Sequence, residues 1–262
     1  MDILEEIAAR TRERVAARKR DVKPGELMDM ARDAAAPEGF PFELALRSED
    51  MAFICEIKKA SPSKGIIADE FPYMEIAGDY EAAGAAAISV LTEPYYFLGD
   101  SRYLREIADV AAVPLLRKDF TVDSYMIYEA KVLGASAVLL ICAILDRGAL
   151  AEYISLAHSL GLSALVETHT EAEISMALAA GARVVGVNNR DLRTFEVDIS
   201  LSGRLRELAP PHVLFVAESG VRSAADVEAL RQSGVDAVLV GEALMRSPDR
   251  KAALAALRGG AG

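Results

Sequence analysis

The chain has 262 residues, of which 52% are hydrophobic, with two cysteines and a formal net charge of −11. That length can bury a large core without disulfides or metals, and two cysteines make no disulfide framework. The acidic balance speaks against general nucleic-acid binding, which needs a basic face, so an anionic ligand would require a local positive island.

The amino-terminal segment predicts helix, because Ile3, Leu4, Ile7, Ala8 and Val15 recur at helical spacing among charged residues. Its acidic start lacks the basic and apolar regions of a signal peptide. Lys23-Pro24-Gly25 breaks the helix, and a second short helix is expected from Glu26 to about Ala34. From residue 51 onward, short apolar runs alternate with longer amphipathic segments. The runs cover 53–57, 86–91, 113–117, 137–142, 163–167, 184–188, 214–218 and 237–240. Near-continuous apolar strands separated by helices signal a parallel sheet covered by helices. Eight such units favour closure into a (β/α)8 TIM barrel. Gly84, Gly134, Gly181 and Gly234 each lead from a helix-like segment into the next run, as left-handed C-caps do. The expected α/β fold is one domain over 1–262, in which 1–47 form a helical extension packed outside or across one end of the barrel. The longest apolar run, 137–145, is too short to cross a bilayer. No membrane association and a cytoplasmic location are therefore expected.

Working residues of a parallel barrel belong at the carboxyl ends of its strands, and most of these runs end in polar residues. They are Glu56 with Lys58, Lys118 with Asp119, Glu167, Asn188 with Arg190, and Glu218 with Ser219. Buried charges are costly unless paired or used, so several ends converging on one mouth would make a ring of acids, bases and donors. Glu56, Lys58, Lys118 and Glu167 are the acid–base candidates, although Lys118 could instead be satisfied by its neighbour Asp119. Glu218-Ser219-Gly220 and Gly241-Glu242 follow strands seven and eight, where barrels commonly hold phosphate and where helix starts favour anions. The loop from Lys58 to Gly65, which contains Ser61, is basic, hydroxyl-rich and expected to be mobile. The Glu242 carboxylate is expected to point away from a bound anion. His158 and His212 are expected at the surface, while His169 could reach the mouth. Cys55 and Cys142 read as small core residues. No metal-ligand spacing and no nucleotide-binding motif is present, so neither metal nor cofactor is expected.

The segment Ile54-Cys55-Glu56-Ile57-Lys58-Lys59-Ala60-Ser61-Pro62-Ser63-Lys64-Gly65 closely resembles the first-strand signature of the indole-3-glycerol-phosphate synthases. Leu116 to Phe120, Leu165 to Glu167, Val187 to Leu192 and Ala217 to Gly220 are similar to that family's strands three, five, six and seven, in order. Thr92-Glu93-Pro94 with Phe97 and the helical extension also resemble the family. The resemblance implies conversion of 1-(2-carboxyphenylamino)-1-deoxyribulose 5-phosphate to indole-3-glycerol phosphate, carbon dioxide and water, without a cofactor. It implies that Lys118 is the acid that protonates the substrate's keto oxygen, and that Glu167 exchanges protons and stabilises positive charge on the anilino nitrogen. Glu56 and Lys58 complete the catalytic group, with Lys58 near the substrate carboxylate or acting in dehydration. Asn188 and Arg190 hold substrate, and Ser61, Ser219, Gly220 and Gly241 surround the phosphate. Phe97, Phe120, Leu139 and Leu192 are placed to wall the aryl ring. The expected partner is this small phosphorylated molecule, bound by a monomer. A phosphoribosylanthranilate isomerase would need a thiol base at the end of strand one, where Cys55 faces opposite to Glu56. A catalytically silent phosphate-binding barrel is the other alternative.

Overall fold

The computed structural model describes residues 3–35, 39–191 and 194–259. Eight parallel strands close into a barrel: β1 Ala52–Ile57, β2 Ala87–Leu91, β3 Leu115–Lys118, β4 Ala137–Ile141, β5 Ser163–Thr168, β6 Val184–Asn188, β7 Leu214–Glu218 and β8 Ala237–Val240. Neighbours in sequence are neighbours in the barrel, and β8 returns to β1 with Ala52 opposite Ala237 and Cys55 opposite Val240. All eight predicted runs are strands. Their apolar continuity has a simple cause, since alternate residues face the barrel axis and the helical layer and both sides are buried. Ile54, Leu116, Leu139, Leu165, Val216 and Leu239 fill the axis. Phe53, Cys55, Ile57, Val138, Leu140 and Phe215 join the layer between strands and helices. Both cysteines are free and buried there, and burial pushes each thiol up to about 12.

The helices that follow the strands are α4 Tyr73–Ala82, α5 Ser101–Ala108, α6 Ser124–Val132, α7 Arg147–Ser159, α8 Glu171–Ala179, α9 Ser200–Arg206, α10 Ala224–Gln232, the short α11 Glu242–Met245, and α12 Arg250–Leu257. Side chains of Asp100, Asp123, Asp146, Thr170 and Ser223 accept backbone N–H groups at their starts, which satisfies donors the helix itself cannot. Gly84, Gly134, Gly181 and Gly234 have φ of 81°, 85°, 88° and 77°, the left-handed geometry expected of them.

Among the described residues the extension holds three helices, α1 Ile3–Asp21, α2 Pro24–Asp33 and α3 Pro41–Leu46. The predicted second helix starts two residues early because Pro24, read as a breaker, supplies the preset φ of a first turn. The six-residue α3 is too short to show a period and escaped sequence reasoning. It lies across the amino-terminal end of the barrel. Phe42 and Leu46 join the axial core, and buried Glu43 accepts from Ser163 Oγ at 3.2 Å and Arg183 Nη2 at 2.8 Å. His158, expected at the surface, is half-buried near this lid, with its ring edge-on to Phe40 at 5.6 Å. Burial, helped by the Arg183 charge, lowers its pKa to about 4. His212 is exposed. At the opposite end, α1 is tied to the barrel by Arg14–Asp119 at 2.7 Å, Arg18–Glu129 at 2.6 Å and Lys19–Asp123 at 2.6 Å.

Candidate active site

The carboxyl ends of the strands open into a cavity of about 440 Å³. Glu56 on β1, Lys118 on β3, Glu167 on β5, Asn188 on β6 and Glu218 on β7 all line it. The barrel register brings them together, pairing Ile141 with Glu167 and Asn188 with Glu218.

Lys118 is the hub of the charged floor. Its Nζ lies 3.4 Å from Glu167 Oε2 and 3.4 Å from Glu218 Oε2. Burial alone would depress the ammonium's pKa, but the surrounding charges of Glu218, Glu167 and Glu56 outweigh it and raise the value. Asp119 takes no share in this. It pairs with Arg14 and, at 3.5 Å, with Arg117, and it accepts from Thr92 Oγ1 at 2.6 Å. The alternative in which Lys118 is neutralised by its sequence neighbour therefore fails, because consecutive strand residues point to opposite faces.

Glu56 accepts from Lys58 Nζ at 2.5 Å. Burial pushes its carboxyl up, yet Lys58 and Lys118 together bring it below the ordinary range. Gly241 serves this carboxylate directly, since a Cβ at 241 would lie 2.7 Å from Glu56 Oε1. Glu218, grouped with the phosphate loops by sequence, stands instead on the charged floor. It is 2% exposed and its Oε1 has no hydrogen-bond partner among the described residues. Burial, opposed by Lys118 and reinforced by Glu167 and Glu56, pushes it up to about 7. Gly186, inside β6, makes the room, because a Cβ there would collide with Glu218 Oε1. A lone glycine within an apolar strand was the available signal.

The other walls divide by polarity. Phe97 and Phe120, with ring centroids 6.1 Å apart, form an apolar side with Leu139 and with Ile3, Leu4 and Ile7 of α1. Sequence reasoning missed the α1 residues, whose helical stripe looked like ordinary packing. Leu192, expected in this wall, lies outside the described residues. Glu93 holds the loop that carries Phe97. It is fully buried, and its carboxylate accepts the N–H groups of Tyr95 at 2.9 Å, Tyr96 at 2.7 Å and Phe97 at 3.0 Å. The polar rim contains Ser61, Ser219, Gly220 and Gly241. Ser219 and Gly220 have φ of 64° and 91°, so consecutive backbone units adopt the left-handed form. Lys64, from the basic loop expected here, adds positive charge at this rim with Arg222 and Arg246, which sequence reasoning missed, and Glu242 faces Lys64 at 3.6 Å and Arg246 at 3.3 Å. The loop from Lys58 to Gly65 folds as a small hairpin pairing Ala60 with Ile66 and Ser61 with Gly65. The Ala60 N–H donates to the Phe97 carbonyl at 3.2 Å. Arg190 borders the cavity, and its Nη1 donates to the Phe195 carbonyl at 3.3 Å. Its backbone N–H donates to Asn188 Oδ1 at 3.1 Å. His169 stands behind Glu167, outside the cavity lining.

The geometry is a half-buried ammonium among carboxylates, between an aromatic wall and a serine–glycine rim. Residues 4–257 match the family model described as indole-3-glycerol phosphate synthase. The chain belongs to the indole-3-glycerol phosphate synthase family. The member from Ruminiclostridium cellulolyticum is 56% identical over 259 residues, which cover 99% of this chain and 100% of the relative. That from Leuconostoc mesenteroides is 49% identical, covering 98% and 99%. Among solved structures, 3-hexulose-6-phosphate synthase from Salmonella typhimurium superposes with a TM-score of 0.66 at 15% identity, covering 80% of this chain and 97% of that one. At that identity the likeness concerns the barrel alone. The segments that resembled indole-3-glycerol phosphate synthases in sequence are those whose side chains meet in the cavity.

Proposed function

We propose that this cavity closes an indole ring, converting 1-(2-carboxyphenylamino)-1-deoxyribulose 5-phosphate to indole-3-glycerol phosphate with release of carbon dioxide and water, a step in tryptophan biosynthesis. The observation that carries the reading is the half-buried Lys118 ammonium, 3.4 Å from both Glu167 and Glu218 and facing a cavity with one apolar and one polar wall. The aryl ring lies against Phe97, Phe120 and Leu139. The phosphate lies at Ser61, Ser219, Gly220 and Gly241, with Lys64 and Arg246 offsetting its charge. Arg190, whose planar fork suits a carboxylate, holds the aryl carboxylate, and Asn188 supports it.

As the aryl carbon bearing the carboxylate attacks the keto carbon, the keto oxygen gains negative charge and takes a proton from Lys118 Nζ. A donor fixed before the reaction stabilises that charge without reorganisation, commonly the largest catalytic effect. Glu167 exchanges protons with Lys118, and its charge opposes the positive charge developing on the anilino nitrogen. Departure of carbon dioxide restores the aromatic ring. The new hydroxyl then takes a proton from Lys58 and leaves as water while the adjacent ring CH2 gives up a proton to Glu56, forming the last ring double bond. In this reading the protein works as a single-domain cytoplasmic monomer.

The test is to mix purified protein with the carboxyphenylamino substrate and follow the indole product by fluorescence. The chain has no Trp, so background emission is low. Lys118→Met should lower turnover by roughly 10²- to 10⁴-fold, the contribution of a positioned acid, while ligand binding persists. Folded wild-type protein that bound substrate without turning it over would point to a silent binding barrel.

A further inference from the structure

His169 follows β5 by one residue and has no role in the reaction described above, on which this inference rests. Its ring lies between two carboxylates. Nε2 is 3.9 Å from Glu167 Oε1, and Nδ1 is 3.8 Å from Glu173 Oε2. Glu173 belongs to the first turn of α8, and the same Oε2 accepts the His169 backbone N–H at 2.5 Å. Glu173 is itself held, since its backbone N–H donates to Thr170 Oγ1 at 3.2 Å. Nε2 is buried and has no hydrogen-bond partner among the described residues. Glu167 is its nearest charged group.

The groups facing the ring are Glu167 from β5, Glu173 from α8 and Glu218 from β7. Cys142, after β4, donates its thiol to the Glu173 carbonyl at 3.8 Å and stays neutral, its pKa pushed up to about 12 by burial. Lys118 lies on the far side of Glu167, bound to Oε2. Glu167 therefore presents one oxygen to an ammonium and the other to an imidazole.

We propose that His169 is a positioning residue: as an imidazolium tethered by Glu173 it holds Oε1 of Glu167, which keeps Oε2 aimed at Lys118 and the substrate. A cation 3.9 Å from one oxygen disfavours rotation of the carboxylate when Lys118 moves its proton, and small misplacements of reacting groups are costly in rate. Burial works against protonation of the ring, but the carboxylates of Glu173, 3.8 Å from Nδ1, of Glu167 and of Glu218 raise its pKa above the ordinary imidazole value. The charged form is thus present at lower pH and is lost as pH rises through the raised value.

The experiment combines NMR titration of the full-length, histidine-labelled protein with kcat and KM measured across pH. The chain has three histidines, so His169→Asn assigns the resonance. His169 should titrate above 6.5 in the wild type and at lower pH in Glu173→Gln. His169→Asn should lower kcat roughly 10-fold, a fraction of what a positioned acid–base group contributes, with KM little changed and the wild type's alkaline decline in kcat absent. Glu173→Gln should move that decline to lower pH. His169→Gln, whose uncharged amide donor reaches the place of Nε2 where that of Asn does not, should recover part of the rate with no such decline. A resonance that titrates at or below 6.5 and ignores Glu173→Gln would overturn the proposal, as would a wild-type pH profile in His169→Asn. The titration needs no turnover, so an inactive wild type would refute the proposed function while the clamp was still being measured.

Discussion

Replacing Glu218 with Gln should stabilise the protein, and increasingly so as pH rises. Glu218 is 2% exposed, shares Lys118 with Glu167, and leaves Oε1 without a hydrogen bond among the described residues. Its carboxyl moves from an ordinary 4.5 up to about 7 in the folded state. The fold therefore binds this proton more tightly than the unfolded chain does. The resulting stability is fully present below 4.5 and is lost as pH rises through about 7. At about 1.4 kcal/mol per pH unit, ionising Glu218 costs the fold on the order of 3 kcal/mol. Gln resembles the protonated acid and escapes that cost. Relative to their difference at pH ~4.5, the variant should gain on the wild type by ~3 kcal/mol at pH ~8, or roughly 6–12 °C in midpoint for a chain of this length. Thermal melts of both proteins across that range, followed by circular dichroism, measure the difference directly. Because every other acid is common to the two chains, a constant gap across pH would refute the assignment of the shift to Glu218. The variant should be slower despite its stability, since Lys118 loses one of its carboxylate partners.

Other perturbations test other parts of the site. Gly186→Ala places a methyl group against Glu218 and should cost about 1–3 kcal/mol, the usual penalty for overpacking, with a fall in kcat; unchanged melting and turnover would mean that Glu218 is not held there. Arg14→Met removes one of two cations from buried Asp119. It should lower stability by roughly 2–3 kcal/mol, below the usual loss for a buried pair because Arg117 remains, and a urea titration reads the change. Glu93→Gln offers an amide where the carboxylate accepts three backbone N–H groups. Phe97 should lose its fixed position, so that KM for the full substrate rises several-fold while affinity for inorganic phosphate is unchanged; an equal effect on both ligands would detach Glu93 from the aryl wall.

Local patterns in the sequence were sufficient for the eight strands, the left-handed glycines after the helices, and the charged residues at strand ends. Each depends on features a few residues apart: two-residue alternation with both faces buried, a Gly where φ is positive, and the high cost of a charge in an apolar run unless it is used. The amino-terminal helix was legible for the same reason. The partners of the charges were not. Lys118 stands beside Asp119 in sequence but meets Glu167 and Glu218, because the pleat sends adjacent residues to opposite faces and barrel closure brings distant strands to one axis. The places of Glu218, of Gly241 beneath Glu56 and of His169 behind Glu167 likewise depend on closure and on α8 docking, since a carboxylate's surroundings comprise every strand that faces it. Short or ambiguous elements also needed the whole molecule. The α3 lid is too brief to show a period, and the apolar stripe of α1 describes a buried face equally well whether it meets a core or a substrate.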